Sequence, residues 1–258
     1  MKIVKLYIDE SPILAGITLK TNDRFEQNNM ALHVCENEVN VMKNRAELVK
    51  TIGYSLNHLV CAQQTHSANF YKVTKDDLGR GATSQQSAIP NTDALYTKEP
   101  NIVLCTFTAD CVPVYFFNKK TGIIGVIHSG WKGTIKEITR KTLTHISNTE
   151  AVHLDDFHII IGMALSQKRF EVDEDVFHLF NELGYAEPFI MYNEMTNKYH
   201  IDNQLVIKKQ CELLGIPKAQ IFLDRTCTYE SERGFSYRED KQSGRHLGFI
   251  VRKEDSLR

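Results

Sequence analysis

One cysteine and two histidines carry the residue types and placing that could do chemistry in this 258-residue chain. Cys111 lies in Thr108-Ala109-Asp110-Cys111-Val112-Pro113-Val114. His128 opens His128-Ser129-Gly130-Trp131-Lys132-Gly133 seventeen residues later, and His66 closes Gln63-Gln64-Thr65-His66. Two imidazoles and a thiolate suffice for a catalytic zinc, which commonly takes three nitrogen or sulfur ligands and keeps its fourth position for water or substrate. Separations of 45 and 17 residues are too wide for a compact zinc finger, so the fold must assemble the triple from separate strands. The same three residues also read as a nucleophilic Cys111 with His128 or His66 as its base. A free thiol of pKa about 8.5 needs a neighbouring imidazolium, metal or helix N-terminus to ionise at neutral pH. Asp110, beside the cysteine, is a candidate to orient a histidine. Arg45, Lys132, Arg238 and Arg245 are candidates to hold a phosphate, the guanidinium fork matching its oxygens.

The elements that must position these groups follow from hydrophobic periodicity. Apolar, β-branched runs over 102–109, 112–117 and 123–127 predict strands, with Asn118-Lys119-Lys120-Thr121-Gly122 as a turn between the last two. If those two pair antiparallel, Cys111 begins one and His128 ends the other, and both reach the same sheet edge. Further strands are predicted at 1–8, 13–19, 59–62, 70–73, 157–164, 189–191, 220–223 and 247–251. Helices are predicted at 39–56, 134–146, 174–183 and 203–214. The polar stretch 75–92 predicts a long mobile loop able to act as a lid. With no repeat, Pro-rich linker or low-complexity tract, the pattern predicts an α+β fold: one domain over 1–258 with mixed β-sheets and outer helices.

An apolar fraction of 42%, a charged fraction of 24% and a net charge of −1 give no field to attract nucleic acid or anionic lipid. No apolar run approaches the ~20 residues of a membrane span, and the N-terminus reads as a strand rather than a signal peptide, so a cytoplasmic location is expected. Six scattered cysteines without a CxxC pair are expected to stay reduced.

Taken together, the chain resembles the laccase-domain or YfiH-like family, whose members carry the names polyphenol oxidase and purine nucleoside phosphorylase. The resemblance rests on Asn29-Met30-Ala31-Leu32-His33-Val34, Asn44-Arg45, Gln64-Thr65-His66, Thr92-Asp93-Ala94-Leu95 and Thr108-Ala109-Asp110-Cys111. It continues through His128-Ser129-Gly130-Trp131-Lys132-Gly133, Gly162, Phe170-Glu171-Val172, Cys227-Thr228, Phe235-Ser236-Tyr237-Arg238 and Gly244-Arg245. It implies a mixed α/β fold, zinc at His66, Cys111 and His128, and phosphorolysis of adenosine, inosine, guanosine or methylthioadenosine with adenosine deamination as a companion reaction. Arg45 and the tail arginines would then help hold phosphate or nucleoside. A departure stands at Ser166-Gln167-Lys168-Arg169, where relatives have Gly-Pro-Cys-Cys, and it implies a remodelled pocket there. The alternatives are a copper-dependent polyphenol oxidase, a metal-independent cysteine hydrolase and a non-catalytic nucleotide- or partner-binding protein. Copper oxidases that reduce oxygen need clustered histidines, and the remaining histidines here are dispersed.

Overall fold

The computed structural model describes residues 3–254; Met1 and Lys2, the start of the first predicted strand, lie outside them. Along the chain the strands are β1 (Val4–Glu10), β2 (Ile13–Thr18), β3 (Leu59–Cys61), β4 (Phe70–Lys72), β5 (Ala94–Thr97), β6 (Val103–Thr108) and β7 (Val112–Phe117). They continue as β8 (Ile124–Ser129), β9 (His158–Ile161), β10 (Glu171–Val172), β11 (Ile190–Asn193), β12 (Lys198–Ile201), β13 (Ile221–Leu223) and β14 (His246–Arg252). The helices are α1 (Glu38–Ile52), α2 (Trp131–Ile135), α3 (Ile138–Glu150), α4 (Glu174–Asn181) and α5 (Asn203–Leu213).

Two mixed sheets stack face to face. One has the order β1-β2-β14-β6-β3 and the other β13-β9-β7-β8-β5-β4, while β10-β12-β11 form a small third sheet. The run 102–109 is apolar without alternation because both faces of β6 are covered. Val103, Cys105 and Phe107 pack with Leu48, Val49 and Ile52 of α1. Leu104 turns the other way, to meet Tyr115, Ile124 and Val126 of the second sheet. On that sheet's far face Val114, Phe116 and Ile127 pack against Leu143 and Ile146 of α3 and Ile207 of α5. The layers therefore run helix, sheet, sheet, helix, which is the expected α+β arrangement with outer helices.

Several boundaries differ for local reasons. α1 stops at Ile52 rather than 56 because Gly53 adopts the left-handed conformation (φ 82°) and its N–H returns to the Val49 and Lys50 carbonyls. The helix predicted at 134–146 is two helices, broken where Glu137 turns left-handed (φ 57°) and its carboxylate accepts from the Tyr185 hydroxyl. β5, β10 and β12 were not anticipated: β5 is buried at all four positions and β10 has only two residues, so neither shows an alternation.

The expected mobile lid at 75–92 is corrected. Its backbone is tied to the strand beside it: Gly79 N donates to Leu59 O, Cys61 N to Arg80 O, Ile89 N to Cys61 O and Gln63 N to Ile89 O. Ala82, Ala88 and Ile89 are buried under these bonds. The segment is polar in composition but its amide groups are paired, and paired backbone with buried anchors is rigid.

Candidate active site

The β7–β8 pair forms as predicted, antiparallel, with Val112 opposite Ser129 and Pro113 opposite His128. Cys111 sits one residue before β7 and His128 is the penultimate residue of β8, so both reach one end of the sheet. His66 arrives from the loop after β3, held in the left-handed region at φ 58°. A non-glycine residue there carries strain that the surroundings must offset.

Asp93, immediately before β5, does so. Its Oδ1 accepts from His66 N–H at 3.1 Å and from His128 Nδ1 at 2.8 Å. Its Oδ2 accepts from Ser67 N–H and Ser67 Oγ, both at 2.7 Å, and from Thr65 N–H at 3.2 Å. With four or more donors on a buried carboxylate, burial acts to raise its pKa but the bonds from His128 and Ser67 win, and it is held far below the ordinary carboxylate range. Because Nδ1 of His128 donates to Asp93, its Nε2 is the ring atom whose proton a metal would displace to gain a lone pair.

The chemistry of the thiol follows from its neighbours. Burial pushes the Cys111 pKa up, but the His128 and His66 imidazoles more than offset this and bring it to about 6. Burial pulls His128 down, while Cys111 and Asp93 hold it up at about 9. At neutral pH, without a metal, the pair is therefore thiolate and imidazolium. The two histidine rings meet edge to face, centroids 4.8 Å apart.

The three donors also fit a metal ion. Cys111 Sγ lies 3.8 Å from His66 Nε2, and all three ligand atoms lie within 4.8 Å of one another. Zinc bonds of about 2.3 Å to sulfur and about 2.0 Å to nitrogen, set tetrahedrally, separate such ligands by about 3.6 Å. Gly130 makes the close approach feasible: a Cβ there would stand 2.8 Å from His66 Cδ2 and 2.9 Å from Cys111 Sγ.

Two cavities share the triad's His66 and Cys111. The first, about 500 Å³, is also lined by His128, Arg45, Lys132 and Arg245. The second, about 430 Å³, is lined also by Asp175 and Val176 of α4 and Asn203 of α5. Arg45 is buried, its Nε donating to Met30 O and its Nη1 to Gly81 O and Ala82 O, with Nη2 outside these three bonds. Lys132 Nζ stands 5.4 Å over the Trp131 ring. Arg245 Nη1 donates to Gly244 O at 3.1 Å, and the guanidinium lies 5.6 Å over Tyr237. His33, in the same basin, has its pKa lowered by burial first and then by Arg245 and Arg45.

Arg238 is not in this basin. It lines the second cavity, with Nη1 donating to Arg169 O and Glu171 O. Asp110 does not orient a histidine: its Oδ1 accepts from Thr228 Oγ1 and its Oδ2 from Arg238 N–H, both at 2.6 Å. At φ 85° its side chain leaves the strand direction and reaches the C-terminal segment instead. Asp93 has the orienting role, and sequence reasoning passed over it. Its one available signal was its place in Thr92-Asp93-Ala94-Leu95. The departing segment 166–169 lends no residue to the lining of either cavity, with Gln167 Nε2 bonded to Phe189 O and Arg169 paired with Glu230, but its Arg169 O holds Arg238 at the second.

The sequence matches the family described as multi-copper polyphenol oxidoreductase laccase over residues 18–253. The chain belongs to that family. A curated relative, the purine nucleoside phosphorylase YlmD of Geobacillus stearothermophilus, is 32% identical over 249 residues, covering 94% of this chain and 91% of the relative. A purine nucleoside phosphorylase of Bacteroides thetaiotaomicron is 36% identical over 214 residues, covering 82% and 79%. The solved structure of YlmD from Geobacillus stearothermophilus superposes with a TM-score of 0.88 at 32% identity over 94% of this chain and 93% of the other. That of Bacillus licheniformis YfiH gives 0.89 at 31% identity, with 93% of each covered. No helix among the described residues is long and apolar enough to cross a membrane.

Proposed function

We propose that this chain is a zinc-dependent purine nucleoside phosphorylase acting on adenosine, inosine, guanosine or methylthioadenosine, with adenosine deamination as a side reaction at the same centre. The observation that carries the reading is the basin in which Arg45, Lys132 and Arg245 converge on the His66, Cys111 and His128 triad. Its support from similarity is the purine nucleoside phosphorylase name of relatives at about 32% identity. Contact between the two sheets through one shared core supports a single working domain.

The reaction exchanges one bond for another: an oxygen of hydrogen phosphate bonds C1′ as the bond from C1′ to the purine nitrogen breaks, and the purine takes up the proton that the phosphate loses. Positive charge grows on the sugar in the transition state, so an anion held beside C1′ is stabilising. Lys132, Arg245 and the remaining edge of Arg45 hold the phosphate dianion, the arginines through paired N–H donors. Asp93 fixes His128 and, through the His66 N–H, the loop that carries His66, so the two rings keep their spacing during the reaction. When bound, zinc supplies a Lewis acid that polarises phosphate or, for deamination, water.

The test is phosphate-dependent release of hypoxanthine from inosine by protein of known zinc content, beside His66→Ala. Release that needs phosphate, zinc and His66 is expected. No release from zinc-loaded protein with inosine, adenosine and methylthioadenosine overturns the reading. Two rivals have their own signatures. The Cys111 and His128 ion pair favours a metal-independent cysteine hydrolase, which would keep full activity after chelation and lose it on alkylation of Cys111. A copper phenol oxidase has the family's description behind it. Multi-copper chemistry needs several ligand clusters, however, and His66, Cys111 and His128 are the one such group among the described residues.

A further inference from the structure

The second cavity differs in character from the first. Trp131, Leu165, Phe170 and Val176 give it apolar and aromatic walls, and three carboxylates also line it: Glu171 and Asp173, both paired with Lys198, and the exposed Asp175. Asp175, which has no ion-pair partner among the described residues, repels a phosphate dianion, so the two cavities are suited to opposite halves of a reaction between phosphate and a nucleoside. Asn203, the first residue of α5, lines this cavity while being only 6% exposed. Its Nδ2 donates to Ser129 O at 3.4 Å, but its Oδ1 is buried and accepts no hydrogen bond. A buried amide oxygen without a donor is costly to leave unpaired, and a ligand that brings an N–H recovers that cost.

The one cation lining this cavity is turned partly away: Arg238 Nη1 is engaged by two backbone carbonyls. Asn203 Oδ1 and the Asp175 carboxylate are thus acceptors left open among the groups that line it. An apolar slot rimmed with acceptors fits a flat heterocycle that presents N–H donors, and it disfavours one that presents a carbonyl oxygen in the same place.

We infer that the second cavity binds the nucleobase, and that Asn203 and Asp175 select 6-aminopurines over 6-oxopurines. This rests on the phosphorylase reading for what lies in the first cavity. The discrimination itself belongs to the second. Adenine offers an N–H₂ group to these acceptors, whereas hypoxanthine turns its O6 toward them. A site built to accept from a donor rejects the analogue that lacks it, because its own buried group is then left unpaired.

The experiment measures binding of adenine and of hypoxanthine to the zinc-loaded protein in phosphate by isothermal titration calorimetry, together with kcat/KM for adenosine and inosine. Adenine is expected to bind at least tenfold more tightly, with Asn203→Leu reducing that ratio below threefold. Asp175→Asn, an exposed substitution in the first turn of α4, reduces it about threefold and serves if Asn203→Leu does not fold. Equal or tighter binding of hypoxanthine, binding of neither base, or a ratio unmoved by the variants that fold overturns the inference. Selective adenine binding without any phosphorolysis would instead overturn the proposed function and leave the base pocket standing.

Discussion

Asp93→Asn is the substitution that bears most directly on how the site is held. The carboxylate bonds both the loop 65–67 and His128 Nδ1. Asparagine has the same shape but replaces one acceptor oxygen by an N–H₂ group. Placed at the Oδ2 side, that group would face Ser67 N–H, Ser67 Oγ and Thr65 N–H. At the Oδ1 side it faces only His66 N–H and His128 Nδ1. The second arrangement costs less, losing one charge-assisted bond worth about 1.5–3 kcal/mol. In it the new amide donates to His128 Nδ1, which moves the ring proton to Nε2, the atom needed for a metal. Loss of such an orienting partner weakens metal binding about 10–100-fold. We expect a folded variant whose melting point falls by roughly 5–10 °C and whose zinc affinity, measured by competition with a chromophoric chelator, falls by that factor. Ser67→Ala is the control, since it removes a bond to Asp93 without touching His128, and should lower the melting point with little change in affinity. If Asp93→Asn keeps wild-type zinc affinity while its melting point drops, Asp93 only pins the loop and the tautomer argument is wrong.

Three further outcomes are expected. His246 is fully buried, bonded to Thr18 O through Nδ1 and accepting from Phe235 N–H at Nε2, and burial lowers its pKa from 6.5 to about 4. The unfolded chain therefore binds the extra proton first, so stability from this residue is complete above pH 6.5 and is lost as pH falls toward 4, by about 3 kcal/mol. Urea melts at pH 7 and pH 4.5 should show the loss, and a His246→Leu variant, weaker at pH 7, should show a smaller difference. Gly130→Ala should cut turnover and zinc content at least about tenfold while circular dichroism stays native, because its Cβ meets His66 and Cys111 rather than a structural core; unchanged turnover would mean the two side chains can separate freely. Arg45→Leu removes the donors to three buried carbonyls and should destabilise the protein by about 3–5 kcal/mol in urea, with Arg45→Lys falling between; a loss below about 1 kcal/mol would show that those carbonyls find other partners.

What could be read from residues alone divides along a physical line. Cys111 and His128 were legible as neighbours because the 118–122 turn and two apolar runs leave few ways to pair the strands, and the observed register places Pro113 opposite His128. His66 was legible only as a residue type, since its position depends on a left-handed backbone and on an acid that lies 27 residues further on. Asp93 itself was illegible for a related reason. It reaches His128 because β5 pairs with β8, Ala94 opposite Ile127, and because His128 N–H donates to Asp93 O at 2.7 Å. β5 is buried at all four positions, so it shows no alternation to announce it. The segment 75–92 misled in the opposite direction: its polar side chains suggested mobility, whereas its rigidity comes from amide groups that are the same in every sequence. Composition thus identified the groups that do chemistry. The groups that hold them, an aspartate at a strand end and a backbone paired to β3, act through registers that only the assembled sheets reveal.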